Sequence, residues 1–431
     1  MEESSTSFFS SMRTLLMLAI VISSVTVVIL IVVTEFGYPR PKIRLINEEQ
    51  TFPFYDNTSL RRREENVLFN LSSNIKKDHG HSNCSILLVV KGYFLYFQKA
   101  ISKSRTIWCP SVNCTVSLLY SNNISDVLSS NITFFSHLTR LPSAKKLRYL
   151  LEHRRPEQRW ALMSLETPLR VARNTSLPAS ISKNFFHWLA TYDPASEIPI
   201  TYGQVVSFTN GDFKPQRVNY FELKSKMVAF VSSNCIHSKW RRLDFVKALQ
   251  RYIPVDIYGK CGNLTCDVEA DCTDILRQYK FILALENSPC PGYITEKFWN
   301  AVGKFESVAV VWGANAYDYE QYAPPQSFIL VESFPSIKHL ASHLWNVSSN
   351  KTLYNTLHDW RMQYSVRSQD KLATLPNNEA LCRAADLYIN ETTDFLSKMG
   401  GARYKHTNGK DWIQSCRIPV HTKMKEFPIP E

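Results

Sequence analysis

No glycine-rich phosphate loop is present. The 431 residues contain neither Gly-x-Gly-x-x-Gly nor Gly-x-x-x-x-Gly-Lys, and glycines number only 13. The two common backbone cradles for nucleotide phosphates are therefore absent. Cys-x-x-Cys is missing too, as is any Cys/His pair at finger spacing, which argues against a zinc module. There is no internal repeat or low-complexity tract, and a chain that is 44% hydrophobic and 20% charged is not broadly disordered. Acidic residues are short, 38 against 50 basic ones, for a formal charge of +12. A basic excess can serve nucleic acid, a membrane surface or an anionic small substrate. Here the basic residues are scattered, the one tight run being Arg61, Arg62 and Arg63, and no nucleic-acid module accompanies them. Nucleic acid is not an expected partner. A phosphate-bearing ligand fits better, and a solvated basic surface is the plainer account.

The chain does have one long uncharged stretch. Leu15 to Val33 is nineteen residues without a charge, broken only by Ser23, Ser24 and Thr26. A membrane-spanning helix needs about 20 such residues, whereas a cleaved signal has an apolar core of only ~7–15. The expectation is a transmembrane signal anchor over 15–34 behind a cytoplasmic tail over 1–14. The flanking charges favour the opposite orientation, since Arg13 precedes the stretch while Arg40, Lys42 and Arg44 follow it. Two other features decide for a lumenal body. Eleven Asn-x-Ser/Thr sequons follow the stretch, at Asn57, Asn70, Asn83, Asn113, Asn123, Asn131, Asn174, Asn263, Asn346, Asn350 and Asn390. All ten cysteines follow it as well, an even number that suggests disulfides in an oxidising compartment.

Residues 35–83 are polar and proline-dotted, as a stem would be. A first region over 84–220 opens with the apolar strand Ile86–Val90 and holds another at Trp160–Leu165. A second region over 221–375 alternates short apolar strands with helical patterns, and residues 376–431 form an extension. Its strands are expected at Met227–Val231, Val255–Tyr258, Phe281–Leu285 and Val308–Trp312, with helices between them, one capped by Ser238 and one over 272–280. Such alternation implies an α/β fold with a parallel sheet, whose ligands sit at the carboxyl ends of the strands.

The stretch 279–299 is the most informative. A buried strand ends in Glu286-Asn287-Ser288, a Pro/Gly turn follows, and a helix begins near Thr295 with Glu296 and Lys297 in its first turn. Polar strand-end residues then face a helix N-terminus, an anion site in waiting. An ordinary strand–turn–helix with solvated charges reads equally well from physics alone. No Asp-x-Asp occurs, the motif through which many metal-dependent sugar transferases bridge a diphosphate. Neutralising phosphate would then fall to Arg, Lys and helix N-termini, with no cofactor required and a divalent cation at most stimulatory.

The residues YKFILALENSPCPGYITEKFW at 279–299 resemble the donor signature of the alpha-1,3-fucosyltransferases, glycosyltransferase family 10, which reads approximately YKFYLAFENS…DYITEKLW. The likeness continues through 308–345, and upstream in VAFVSSNC at 228–235, VDIYGKCG at 255–262 and SLETP at 164–168. The resemblance implies a glycosyltransferase B-type fold with two Rossmann-like domains, the acceptor on the first and GDP-fucose on the second. By motif position, Glu296 holds the ribose hydroxyls, Lys297 and Arg242 the diphosphate, and Asn287 and Tyr293 line the donor pocket. Arg241 leaves the register of Arg242 open by one residue. Glu166 is the implied base for direct, inverting transfer. Implied surroundings are the Golgi membrane and a glycoprotein N-glycan or N-acetyllactosamine acceptor. The cysteine pattern is similar to that of transferases acting on the innermost GlcNAc of N-glycans.

Several positions depart from the family pattern. Gly292 stands where Asp is usual, and within HWLATYDPASEIPITYG at 187–203 His187 replaces Asn, Asp193 replaces Arg, Ala195 replaces Asp and Thr201 replaces Pro. These changes bear on acceptor choice and turnover. The rival reading is a catalytically silent, membrane-anchored glycan-binding protein of the same fold. A third is an enzyme using GDP-mannose or another nucleotide sugar.

Overall fold

The computed structural model describes residues 17–23, 26–32, 84–92, 104–136, 144–174, 186–208, 216–235, 241–265, 272–368, 376–397 and 416. The expected tail, the stem with Asn57, Asn70 and Asn83, and the cap Ser238 lie outside them. The chain divides into two units, Met1–Gly80 and His81–Glu431.

In the first unit, β1 (Met17–Ser23) and β2 (Thr26–Val32) pair antiparallel, Met17 opposite Val32 and Ser23 opposite Thr26. The long apolar stretch is thus a hairpin here, where a spanning helix was expected. Its composition accounts for the difference. Ile20, Val21, Ile22, Val27, Val28, Ile29, Ile31 and Val32 are β-branched, stiff at χ1 and better suited to a pleated strand than a helix. No helix among the described residues is long and apolar enough to cross a membrane.

The second unit holds two parallel sheets. The first comprises β3 (Ser85–Lys91), β4 (Arg105–Cys109), β5 (Cys114–Tyr120), β6 (Ile132–Ser136), β7 (Arg159–Ser164), β8 (Trp188–Thr191) and β9 (Ile198–Pro199), in the order β4-β5-β3-β6-β7-β8-β9. Only β4 runs antiparallel to its neighbour. After β10 (Gly203–Ser207) come β11 (Lys226–Val231), β12 (Val255–Tyr258), β13 (Tyr279–Leu285), β14 (Val308–Trp312) and β15 (Phe328–Leu330), ordered β12-β11-β13-β14-β15 and all parallel. A last strand, β16 (Tyr364–Ser368), pairs antiparallel with β10 and so links the first region to the end of the second.

The strand runs read from the sequence form because both sheet faces are covered. Phe281, Leu283 and Leu285 pack into one core with Phe245, Val246 and Leu249. The alternate residues Ile282 and Ala284 pack on the other face with Phe298, Ala301 and Val302. Two expected boundaries shift. The helix expected over 272–280 covers only Thr273–Leu276, because the backbone of β13 is already paired from Tyr279. The helix Arg242–Leu249 stops before Ile253, which is buried beyond its end.

Among the described residues, the pairs Cys84–Cys114, Cys109–Cys382, Cys235–Cys261 and Cys290–Cys416 staple this unit. Cys272 is also disulfide-bonded. Cys109–Cys382 ties the last helix, Asn378–Ser397, to the edge of the first sheet. The other two named pairs beyond Cys84–Cys114 hold loops at the carboxyl ends of the second sheet's strands.

Candidate active site

In the second sheet the chain order reverses between β11 and β13, and ligands of open parallel sheets bind at that switch point. A cavity of about 440 Å³ lies there. Ser232, Ser233 and Asn234 line it from the end of β11, and Asn287 from the end of β13. Arg242, Glu296, Lys297 and Asn300 line it from helices, and Arg170 from the first region.

Arg242, not Arg241, faces the cavity. Arg241 pairs with Asp244 at the surface. The Arg242 guanidinium is buried, donating from Nη1 to the Leu285 carbonyl at 2.9 Å and from Nη2 to the Asn234 carbonyl at 3.1 Å. Its Nε has no partner, and neither do Asn287 Oδ1 and Asn300 Oδ1. Buried polar atoms left unpaired are costly, so a cavity lined by several is shaped for a polar ligand. Burial lowers the Arg242 pKa, and the nearby Glu286 carboxylate opposes that shift.

Lys297 sits in the first turn of the helix Glu296–Trp299, capped by Thr295. Its Nζ lies 3.3 Å from Glu286 Oε2 and 2.9 Å from Glu296 Oε1, and donates to Thr295 Oγ1 at 2.8 Å. Burial works against its charge, yet the two carboxylates outweigh it and hold its pKa above the ordinary lysine value. Glu286 is fully buried and accepts from the Thr295 amide at 2.8 Å. Burial pushes its carboxyl pKa up, against the pull of Lys297. At Glu296 burial acts in the same direction, but Lys297 prevails and its pKa is lowered. Gly313, at φ +143°, is required beside Glu286, since a Cβ there would lie 2.5 Å from Glu286 Cβ.

Glu166 follows β7, in a turn where Ser164 Oγ donates to the Glu166 carbonyl at 2.8 Å. Its carboxylate meets two groups. Tyr293 donates its hydroxyl to Glu166 Oε2 at 3.4 Å, and Arg170 lies 3.3 Å from Oε1. Burial raises the Tyr293 pKa well above the ordinary phenol value, so the hydroxyl keeps its proton as donor. Of the six residues picked from the sequence, Arg242, Asn287, Glu296 and Lys297 line the cavity; Tyr293, expected in the lining, is instead buried outside it and donates to Glu166, which pairs with the lining residue Arg170. Sequence reasoning missed Arg170, Asn300 and the role of Glu286. The i,i+4 spacing of Glu166 and Arg170 was the available signal for the first. His187 is a packing residue, its Nδ1 accepting from the Trp160 amide at 2.9 Å.

Two family models match this chain: "Fucosyltransferase, N-terminal" over residues 82–203 and "Glycosyltransferase family 10 (fucosyltransferase) C-term" over residues 221–398. The chain belongs to the family 10 fucosyltransferases. Among its relatives, glycoprotein 3-alpha-L-fucosyltransferase A of Drosophila melanogaster is 40% identical over 46% of this chain and 39% of its own length. Alpha-(1,3)-fucosyltransferase 4 of Bos taurus is 34% identical over 48% and 52%, and fut-5 of Caenorhabditis elegans 29% identical over 59% and 65%. The chain thus spans between two-fifths and two-thirds of these relatives' lengths. A crystal structure of an alpha1,3-fucosyltransferase aligns with TM-score 0.45 at 17% identity, covering 77% of this chain and 95% of that one.

The sequon asparagines of this chain differ in setting. Asn113, Asn123, Asn263, Asn346, Asn350 and Asn390 are exposed, while Asn174 ends the helix Pro168–Asn174. Asn131 uses its amide inside the fold, accepting from the Leu87 amide at 2.8 Å and donating to Tyr388 Oη at 3.1 Å.

Proposed function

We propose that this protein is an inverting alpha-1,3-fucosyltransferase of glycosyltransferase B-type architecture. It moves L-fucose from GDP-beta-L-fucose to a GlcNAc hydroxyl of a glycoprotein glycan. The observation that carries the reading is the Glu166–Tyr293 contact, which sets a first-region carboxylate beside the loop that leads into the cavity of Arg242, Asn287, Glu296 and Lys297. Two relatives named as alpha-1,3-fucosyltransferases and one as a glycoprotein 3-alpha-L-fucosyltransferase support it.

In this mechanism Arg242 Nε and the Lys297 ammonium receive the diphosphate, charge-assisted donors in a partly dry site. Glu296 takes the ribose hydroxyls and Asn287 lines the pocket. The acceptor hydroxyl attacks the anomeric carbon from the face opposite GDP, through an oxocarbenium-like state. Glu166 takes the hydroxyl proton as the C–O bond to GDP breaks and GDP leaves with the electron pair. Tyr293 and Arg170 orient that carboxylate. No cofactor takes part, and a divalent cation at most stimulates.

The same reading places the protein in the Golgi membrane as a single-pass type II chain with a lumenal body. It draws on the sequons, the disulfides and the length and apolarity of the 15–34 stretch, which must leave the β1–β2 pairing to span a bilayer as a helix. Incubation with a panel of radiolabelled nucleotide sugars and glycan acceptors tests the activity: transfer from GDP-fucose alone is expected. Binding of glycan with no transfer from any donor overturns it in favour of a silent glycan-binding protein. Protease reaching residues beyond 83 from the cytosolic side of intact vesicles would refute the topology.

A further inference from the structure

A second cavity, of about 360 Å³, is lined by Trp299 of the same short helix whose Glu296 and Lys297 line the first. Tyr192 and Gln204 line it from the first region, Trp299, Gln321 and Tyr322 from the second, and Glu379 from the last helix. Its wall is linked to the proposed base through Tyr293: the Tyr192 ring packs edge-on against Tyr293 at 4.7 Å, and Tyr293 donates to Glu166. In a protein of charge +12, no Lys, Arg or His is among the described residues that line it. Acidic groups gather instead. Glu379 lines the wall, with Arg367 3.5 Å away as an exposed partner. Asp193 Oδ1 lies 3.4 Å from where a Cβ on Gly292 would sit, and Asp318 Oδ2 accepts from the Gly292 amide at 2.8 Å. Burial, then Asp193 and Asp318, push the Tyr322 phenol pKa up, so that hydroxyl stays a donor.

Three departures from the family pattern meet at this place. Thr201 and Gly292 line the cavity, and Asp193 adjoins Gly292. An Asp at 292 would bring a second carboxylate against Asp193, where like charges repel. Gly removes that conflict and also accepts φ +66°.

We propose that this cavity holds an uncharged saccharide unit of the acceptor next to the reacting hydroxyl, and that Asp193 and Glu379 select against anionic acceptors. The inference rests on the fucosyltransferase reading. Aromatic rings cover the C–H faces of a sugar, while amides and carboxylates take its hydroxyl protons. A sulfate or carboxylate on the sugar would instead meet like charge, with no cation among the described lining residues and Arg367 already engaged by Glu379, and such juxtaposition is a source of discrimination.

The test uses the full chain with GDP-fucose and four acceptors: chitobiose and N-acetyllactosamine glycosides, each neutral and 6-O-sulfated. The neutral forms are expected to show kcat/KM at least about tenfold higher. Tyr322→Ala and Gln321→Ala should raise the acceptor KM about tenfold and threefold, with GDP affinity and Tm near wild type. Asp193→Asn combined with Glu379→Gln should narrow the neutral-to-sulfated ratio at least about threefold. Equal use of sulfated acceptors, or unchanged acceptor KM in both cavity variants with GDP binding intact, overturns the inference and leaves the donor site standing. If the wild-type chain transfers nothing from GDP-fucose, the fucosyltransferase reading falls. Saturation-transfer NMR of the same glycosides with GDP present then tests the cavity by itself: loss of the neutral signal in Tyr322→Ala supports it, and an unchanged signal overturns it.

Discussion

Lys297 has a structural role separable from its proposed donor binding, and its removal is expected to give a stability loss that depends on pH. Its ammonium is the counter-charge of Glu286, a carboxylate with no exposure to water. Lys297→Met keeps the side-chain volume and deletes the charge. Glu296, whose side chain is 45% exposed, can turn to solvent, whereas Glu286 cannot. Breaking a buried pair typically costs about 3–5 kcal/mol. Here protonation of Glu286 caps the cost. Neutralising a carboxyl of ordinary value 4.5 costs about 1.36 kcal/mol per pH unit, so roughly 3.4 kcal/mol at pH 7 and 0.7 at pH 5. The sign follows from the direction of the shift. Glu286 already has a raised pKa when folded, and losing Lys297 raises it further. The folded variant therefore holds its proton more tightly than the unfolded chain, and stability falls as pH rises above the ordinary carboxyl value. With about 2 °C per kcal/mol for a domain of this size, Lys297→Met should melt roughly 6 °C below wild type at pH 7 and within about 2 °C at pH 5. Scanning fluorimetry without donor, at matched scan rates, reads both values. Adding Glu286→Gln should abolish the pH dependence of the deficit. A deficit equal at the two pH values, or none at pH 7, refutes the reasoning.

Other variants probe the proposed chemistry more directly. Arg242→Ala removes the unpartnered Nε donor and should weaken GDP binding by about 10- to 150-fold, the range of a charged hydrogen bond near 1.5–3 kcal/mol; calorimetry on the folded variant decides. Glu166→Gln should retain GDP affinity and Tm while transfer falls at least about 10²-fold, the lower end for general-base catalysis. Near-native transfer in that variant would move the base to another carboxylate. Excess chelator should leave most of the activity, whereas complete loss restored by manganese would refute the metal-free phosphate clamp.

Much of the fold was legible because of how parallel sheets are buried. Strands covered on both faces read as unbroken apolar runs, and β11, β12, β13 and β14 were each visible as such. The donor region was legible for another reason: strand, turn and helix N-terminus are contiguous over 279–299, so their residues meet without long-range information. What stayed hidden depends on distant parts of the chain. Cys109 and Cys382 are 273 residues apart, and no spacing rule pairs them. Whether Arg241 or Arg242 faces the cavity depends on the carbonyls of Leu285 and Asn234. The stretch 17–32 forms paired strands where length and apolarity alone suggested a helix, because its β-branched residues favour a pleated backbone.

Disulfide placement explains how the candidate site keeps its shape with its cavity open. Loops at strand ends are ordinarily the most mobile parts of an α/β sheet, yet here they carry the binding groups. Cys235–Cys261 joins the loop after β11, which supplies Ser232, Ser233 and Asn234, to the loop after β12. Cys290–Cys416 fastens the turn between Asn287 and Tyr293 to the C-terminal extension. Each of these loops holds a group that orients another: the Asn234 carbonyl receives Arg242, and Tyr293 supports Glu166. Fixing the loops covalently lets Arg242 Nε and Asn287 Oδ1 remain unpaired in the free protein, since the chain cannot collapse to satisfy them. Such preorganisation moves the ordering cost from binding to folding. It also makes the C-terminal extension part of the candidate site's architecture, although Cys416 lies far along the chain from every residue that lines the cavity.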